Sequence, residues 1–553
     1  MKNFLNAIYN LFSRKGISLY IIFFCIAAKS ILIIFYSYIG RDKIYSLSAG
    51  YNLIHGKGWT NSFYYLNDLD KEILQPFCHW PMGYGLLTTP FQKVFGTNLF
   101  LSTTLFEILC FGFFILLCRN ILKIMGLSLA WLNISTILLS FFSHDFIERS
   151  LGTDLLALDF ILGFFYCSIR LWSNVDTRLA LRLGLVSGTC LFFAGFTRYH
   201  YVPVAMFMVL ALWLISYWKR NRVAMKGYFF AVLICFSGLI AAMLFQQSAC
   251  GSPFYTGIDK KGIFIENLGY WHPSVIAAFV NLDMVPVQFE KYSSISYSSW
   301  MELLNWINLF FYLCLVIAFC IFFYRKRNSS RGDFPIFIIS GTLLSAAIIG
   351  GLALLSLTHS PKYTLAGEAW TFIVEGRYYA FSVVFLQLLF LTVVAKRNDL
   401  FAGRKVAKGL VFFLSLLFFL NAAHQMYYTT KVALTYKTMK TAVVREQDYV
   451  YFESLLVSTI KENPGRDVLV ASSDSYYPLL ASMHNQKGIA DPYSLDSRVP
   501  IVRKPAVLFT VVTAPEKKRY INYLNNKEVR FVKEVAGIKI YKQLLEPSHK
   551  SNQ

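Results

Sequence analysis

Four ionisable side chains stand where long apolar runs begin or end: Asp42, Asp154, Arg198 and Arg377. A carboxylate at a membrane–water boundary, walled on one side by apolar groups, suits a general base that takes a hydroxyl proton as the oxygen attacks. Arginine forks match oxyanions better than lysines do. Asp42 follows the first apolar run directly, and its neighbours Arg41 and Lys43 favour the ionised form. A charge that merely ends a helix at the interface would sit there too. Asp154 lies inside an apolar helix start, where an acid is costly unless paired or functional. A salt bridge to Arg149 or Arg198 and a role in acceptor binding or metal assistance both fit it. Arg198 and Arg377 each stand at the outer end of a hydrophobic segment, where snorkelling to lipid headgroups accounts for a cation. Lys362, after His359-Ser360-Pro361, is a third cation of this kind.

Other polar and aromatic residues suggest contacts with a ligand. His55, His79 and His359 suit hydrogen-bonded loop positions, acceptor binding or a divalent ion. Trp59, Trp80 and Tyr84 offer flat faces to a sugar, or belong to an interfacial aromatic belt. Glu148, with His144 and Asp145, makes an acidic rim in one short segment and is a candidate acceptor contact.

The elements that must position these groups are membrane spans. The 553-residue chain is 56% hydrophobic, 17% aromatic and only 15% charged, against about 25% charged in soluble domains. Its mean hydropathy is +0.48. Apolar runs near the spanning length of about 20 residues occur at 18–39, 98–118, 127–143, 152–172, 181–197, 200–217, 228–248, 303–324, 334–357, 374–395 and 407–426. Only Arg198-Tyr199-His200 joins the fifth and sixth, which leaves a half-crossing hairpin or one bent helix open there. The first run carries no small-residue cleavage pattern.

Fifty-three Lys and Arg against 31 Asp and Glu give a net charge of +22. With the N-terminus inside, 21 of these cations cluster in the short inner segments, as the positive-inside rule requires. The surplus is therefore topological, and no nucleic-acid partner is expected. Residues 1–430 form a membrane domain with outer loops 40–97, 249–302 and 358–373; residues 431–553 form a small outer α/β domain. In the latter the pattern predicts helices over 448–462 and 515–525, strands at 468–471 and 507–512, and a strand pair turning at Gly537. The fold class expected is mainly α: a polytopic membrane protein of about eleven spans with amphipathic outer-loop helices and that C-terminal domain. No glycine-rich phosphate loop supports a nucleotide site. Cys78 and Cys250, both in outer loops, can pair in an oxidising compartment.

The first outer loop carries a recognisable order: Gly40-Arg41-Asp42-Lys43, then Ala49-Gly50 through Gly56-Lys57-Gly58-Trp59, then Pro81-Met82-Gly83-Tyr84-Gly85-Leu86-Leu87. This resembles the GT-C membrane glycosyltransferases, among them protein O-mannosyltransferases and aminoarabinose transferases. Gly152-Thr153-Asp154, Gly184 to Gly188 with Thr197-Arg198, Gly251-Ser252-Pro253 and Arg377-Tyr378 are similar to later elements of that family. Many relatives have a second acid where this chain has Lys43. The resemblance implies transfer of a single sugar, with inversion, from a polyprenyl-phosphate donor to an acceptor hydroxyl on the outer face. Asp42 and Asp154 would be catalytic; Arg198, Arg377 and Lys362 would hold donor phosphate; His79, Trp80, Tyr84 and Glu148 would touch sugar or acceptor. A divalent ion is the one cofactor in question. The partners implied are the lipid donor, a glycan, lipid or protein acceptor, and membrane lipids. The location implied is the bacterial inner membrane, N-terminus cytoplasmic, in cell-envelope glycan synthesis. A polysaccharide polymerase or ligase, or a lipid-linked oligosaccharide transporter, is the alternative.

Overall fold

The computed structural model describes residues 9–36, 41–78, 81–96, 98–141, 152–251, 333–357, 376–396, 405–435, 444–497, 502–513, 519–535 and 538–547, with isolated positions between 263 and 317. The chain opens with helices α1 (Lys15–Tyr36) and α2 (Arg41–Ile54), strands β1 (Thr60–Tyr65) and β2 (Asp68–Pro76), and helices α3 (Gly83–Phe95) and α4 (Leu99–Ile124). Next come α5 (Leu129–Phe141), α6 (Gly152–Ser173), α7 (Thr177–Thr197), α8 (Tyr201–Trp218) and α9 (Arg222–Cys250). Then follow α10 (Asp333–Leu357), a 3-10 turn (Gly376–Tyr379), α11 (Ala380–Ala395), α12 (Lys405–Thr435) and α13 (Val444–Glu462). The C-terminal part holds β3 (Asp467–Ser472), α14 (Tyr476–Met483), β4 (Lys487–Ile489), a 3-10 turn (Pro492–Asp496), β5 (Ala506–Thr513), α15 (Ile521–Leu524), β6 (Arg530–Val535) and β7 (Ile538–Leu545).

Two compact units result. A helical unit comprises Met1–Ile33, Glu107–Phe245 and Thr256–Lys431; an α/β unit comprises Ile34–Phe106, Gln246–Tyr255 and Val432–Gln553. Among the described residues seven helices are long and apolar enough to cross a membrane: within α4, α6, α7, α8, α9 and α10, and at Arg377–Ala395. Each of the two runs beside Arg198-Tyr199-His200 is thus a full-length helix. Most of the expected span at 303–324 falls outside the described residues.

In the helical unit, burial sorts the helices by role. The apolar window of α6 is 78% buried, whereas that of α9 is 22% buried, so α9 turns Leu233, Ile240 and Leu244 outward as a lipid-facing helix does. Small residues let α7 and α9 touch. A Cβ added to Gly184 would lie 2.2 Å from the Gly227 carbonyl oxygen, and one on Gly188 2.7 Å from that of Ala231, the close approach that small residues spaced by four permit in membranes. Phe165 of α6 packs on Phe337 of α10 and on Phe381 of α11, both at 5.4 Å between centroids. Arg119 of α4 donates to Asn133 (2.8 Å) and Thr136 (2.8 Å) of α5 and to Ser18 (3.0 Å) of α1.

The α/β unit is built on a seven-stranded sheet of order β2-β1-β4-β3-β5-β7-β6. Strands β4, β3 and β5 run parallel, with antiparallel β5–β7, β6–β7 and β1–β2 at the flanks. The near-continuous apolar run of β3 is buried from Val468 to Ser472, as a strand covered on both faces requires. The β1–β2 hairpin of the first outer loop joins this sheet. Tyr64 pairs with Ile489, and the Ala490 N–H donates to the Tyr64 carbonyl at 2.9 Å. The Ser482 hydroxyl donates to the Ser62 carbonyl at 2.8 Å, and the Tyr45 hydroxyl donates to Ser475. Helices α2 and α3 meet at glycine: a Cβ on Gly85 would lie 2.4 Å from the Ser46 carbonyl and 2.7 Å from the Trp59 ring. Cys78 and Cys250 form a disulfide.

Helix α13 and strands β3, β5, β6 and β7 appear where the sequence pattern places them. The helix expected over 515–525 is seen as the single turn α15, with 514–518 and the Gly537 turn outside the described residues. Helix α14, strand β4 and the β1–β2 hairpin are additions. Their segments are short, and their pairing partners lie far along the chain.

Candidate active site in the helical unit

Three helix termini deliver one charged cluster. Asp154 occupies the first turn of α6, where an acid complements the helix dipole. Helix α7 is capped at its start by Asp176, which accepts the Arg178 N–H at 2.9 Å. It ends at Arg198, whose extended backbone (φ −144°) breaks the helix while its N–H still reaches Ala194. The Tyr201 N–H then donates to the Arg198 carbonyl at 3.0 Å, which starts α8 at once. Arg377 comes from the 3-10 turn ahead of α11.

The side chains converge. Arg198 Nη2 lies 2.6 Å from Asp154 Oδ2, and Arg377 Nη1 lies 3.8 Å from the same oxygen. The Asp154 side chain is 2% exposed, that of Arg198 6% and that of Arg377 19%. Both guanidinium carbons sit over the Tyr378 ring, Arg377 at 5.1 Å and Arg198 at 5.9 Å from its centroid, within cation–π range.

His200 completes the group and is the residue that sequence reasoning missed. Its ring stands 5.2 Å from Tyr378 and 4.1 Å from Tyr201. It is buried, and its Nε2 has no hydrogen-bond partner among the described residues. Burial first, then the Arg198 and Arg377 charges, hold the imidazole well below the usual histidine range, so it is neutral at pH 7. A histidine beside an arginine in a three-residue linker looks like a turn residue; its one sequence signal is that both flanking runs are apolar.

The ion pair to Arg198 considered for Asp154 is present. Two arginines within 4 Å of a carboxylate disfavour a metal ion there, and among the described residues no three His, Cys, Asp or Glu gather as a metal cage. Asp42 stands in the first turn of α2, in the α/β unit, with its side chain outside the described part. His79, Trp80, Glu148 and Lys362 also lie outside the described residues. Tyr84 is corrected: 1% exposed, with its ring edge-on to Phe106 at 5.7 Å, it offers no face to a sugar. Trp59 is likewise core, packed on Phe77 and Ala49. His55 is bound locally through Nδ1 to the Tyr51 carbonyl at 2.8 Å.

No protein-family model matches the chain, and no curated protein matches it. Two structures of one protein are among the similar solved structures. ArnT from Cupriavidus metallidurans bound to undecaprenyl phosphate has 12% identity and a TM-score of 0.46, covering 96% of this chain and 98% of that one. The apo state of the same protein has 12% identity and a TM-score of 0.43, covering 95% and 98%. Likeness at this level assigns no role to any residue.

Proposed function

We propose that the chain is an integral membrane glycosyltransferase of GT-C type. It moves one sugar from a polyprenyl-phosphate donor to an acceptor hydroxyl at the outer face of the bacterial inner membrane, with inversion. The observation that carries this is the convergence of Arg198 and Arg377 on Asp154 at the ends of apolar helices. Two planar forks from separate elements, both backed by Tyr378, suit the oxygens of a phosphate. As the bond from the anomeric carbon to phosphate breaks, that phosphate gains the charge the guanidiniums stabilise. Asp154, held at 2.6 Å by Arg198, orients the forks and is a positioning residue rather than a base. The burial of His200 keeps a third cation out of the cluster.

The base is Asp42, on the strength of its place after the first span and the pattern of its loop. Its carboxylate takes the proton as the acceptor oxygen attacks the anomeric carbon opposite the departing phosphate. Lys362 adds a cation to the donor, and His79, Trp80 and Glu148 touch the sugar or acceptor. The Cys78–Cys250 disulfide favours an oxidising compartment for the α/β unit, hence a cytoplasmic N-terminus.

The test is transfer by purified protein in lipid, supplied with polyprenyl-phosphate sugars and scored by product length. Asp42→Asn should lower turnover about 100-fold or more, and wild-type turnover in that variant removes the base. Arg377→Lys should raise the donor KM about ten-fold with the unfolding midpoint kept, since it replaces a bidentate fork with a point charge. An unchanged KM removes the clamp. Transfer of preassembled chains in place of single sugars would identify a ligase.

A further inference from the structure

We infer that the α/β unit carries a second site, a cleft for a neutral saccharide at the carboxyl ends of β3 and β4. It goes beyond the transfer reaction and stands without it, because every group that forms it belongs to this one unit.

Strand order explains where the cleft lies. From β3 the chain passes through α14 to β4 on one side, then crosses back to β5 on the other side of β3. In open α/β sheets a crevice forms outside the carboxyl ends of the strands where such connections diverge, and ligands settle there. The cleft of about 380 Å³ opens at that place, within the size range of ligand pockets.

Its lining is chemically particular. Ser472 ends β3, Ser473 begins the turn into α14, Asp491 follows β4, and Tyr493 and Ser494 come from the 3-10 turn after it; Phe63 of β1 adds an aromatic wall. Among the described lining residues there is neither lysine nor arginine; Arg519 stands behind them, engaged on the Tyr493 ring, and the Asp491 carboxylate opposes an anion. A neutral polyol suits the set: hydroxyls meet serines and a carboxylate, and the carbon face of the ring lies on an aromatic side chain.

The groups are held in place. Ser472 is committed to the scaffold, donating to the Val511 carbonyl at 2.9 Å and accepting the Asp474 N–H at 3.2 Å. Asp491 is anchored through Oδ1, which accepts the Leu66 N–H at 3.1 Å. The Tyr493 ring, 37% exposed, is packed against Tyr520 at 5.5 Å and lies under the Arg519 guanidinium at 4.9 Å. A preset aromatic platform lowers the ordering cost of binding.

The experiment uses the full chain in lipid nanodiscs, applied to immobilised di- to tetrasaccharides of glucose, galactose, mannose, N-acetylglucosamine and arabinose. Wild type should be retained on at least one of them. Tyr493→Ala should weaken retention about ten-fold, the scale of one lost stacking contact, and Ser494→Trp should do the same by filling the cleft, both with wild-type unfolding midpoints. Arg377→Lys should bind as wild type does, which keeps this result separate from failure of the phosphate clamp. No retention by wild type, equal retention by both cleft variants, or loss in Arg377→Lys would each overturn the inference.

Discussion

The two candidate sites solve opposite problems. In the helical unit, Asp154, Arg198 and Arg377 are charges withdrawn from water, and each survives there because the others face it. In the α/β unit the cleft uses serines, one anchored carboxylate and a half-open tyrosine, groups that tolerate water. A charged, buried constellation is matched to a charged occupant and is costly to disturb. A hydroxyl-lined cleft can exchange its contents at little cost to the fold.

That contrast can be broken by substitution. The largest effect should come from Asp154→Ala, which leaves two guanidiniums without the carboxylate they share. A loss of about 3–5 kcal/mol is expected, read as the unfolding free energy in lipid. The parallel change in the cleft, Asp491→Asn, keeps an oxygen for the Leu66 N–H and should cost less than about 0.5 kcal/mol. Equal losses would abolish the distinction.

A smaller effect tests whether the glycines of the first outer loop are packing devices rather than ligand contacts. Gly85→Ala should cost about 1–3 kcal/mol by overpacking, since a Cβ would press on the Ser46 carbonyl and Trp59. A variant as stable as wild type would return Gly85 to the candidates for direct contact.

The smallest effect concerns His200. Its native pKa lies well below 6.5, the ordinary value, which the unfolded chain regains. The unfolded state therefore binds more protons in acid, so this stabilisation is complete above pH 6.5 and is lost as pH falls through that value. The slope it adds is at most about 1.4 kcal/mol per pH unit. His200→Gln should flatten the fall of unfolding midpoint between pH 6.5 and 5. An unchanged slope would assign it to other groups.

The sequence made the helices and the charges legible for the same reason. Twenty apolar residues in a row admit few structures, and any ion within or beside them must find a partner. Asp154, Arg198 and Arg377 stood out one by one on that ground, and the structure places them together. Tyr84 and Trp59 misled because an aromatic residue in a loop gives no sign of whether its face is covered; here Phe106, Phe77 and Gly85 cover them. The β1–β2 hairpin was not legible because its partner, β4, is three residues long and distant in sequence. Asp42 stands on its sequence position.

The Leu66–Asp491 link spans 425 residues, and this has a consequence for biosynthesis. At about 5–20 residues per second, a ribosome needs roughly 20–90 s to travel from one end of that link to the other. During that interval the hairpin is already made while the β4 it will flank does not yet exist, and all the intervening apolar helices must enter the bilayer. A nascent chain of this design therefore carries an unpaired strand edge through most of its own synthesis.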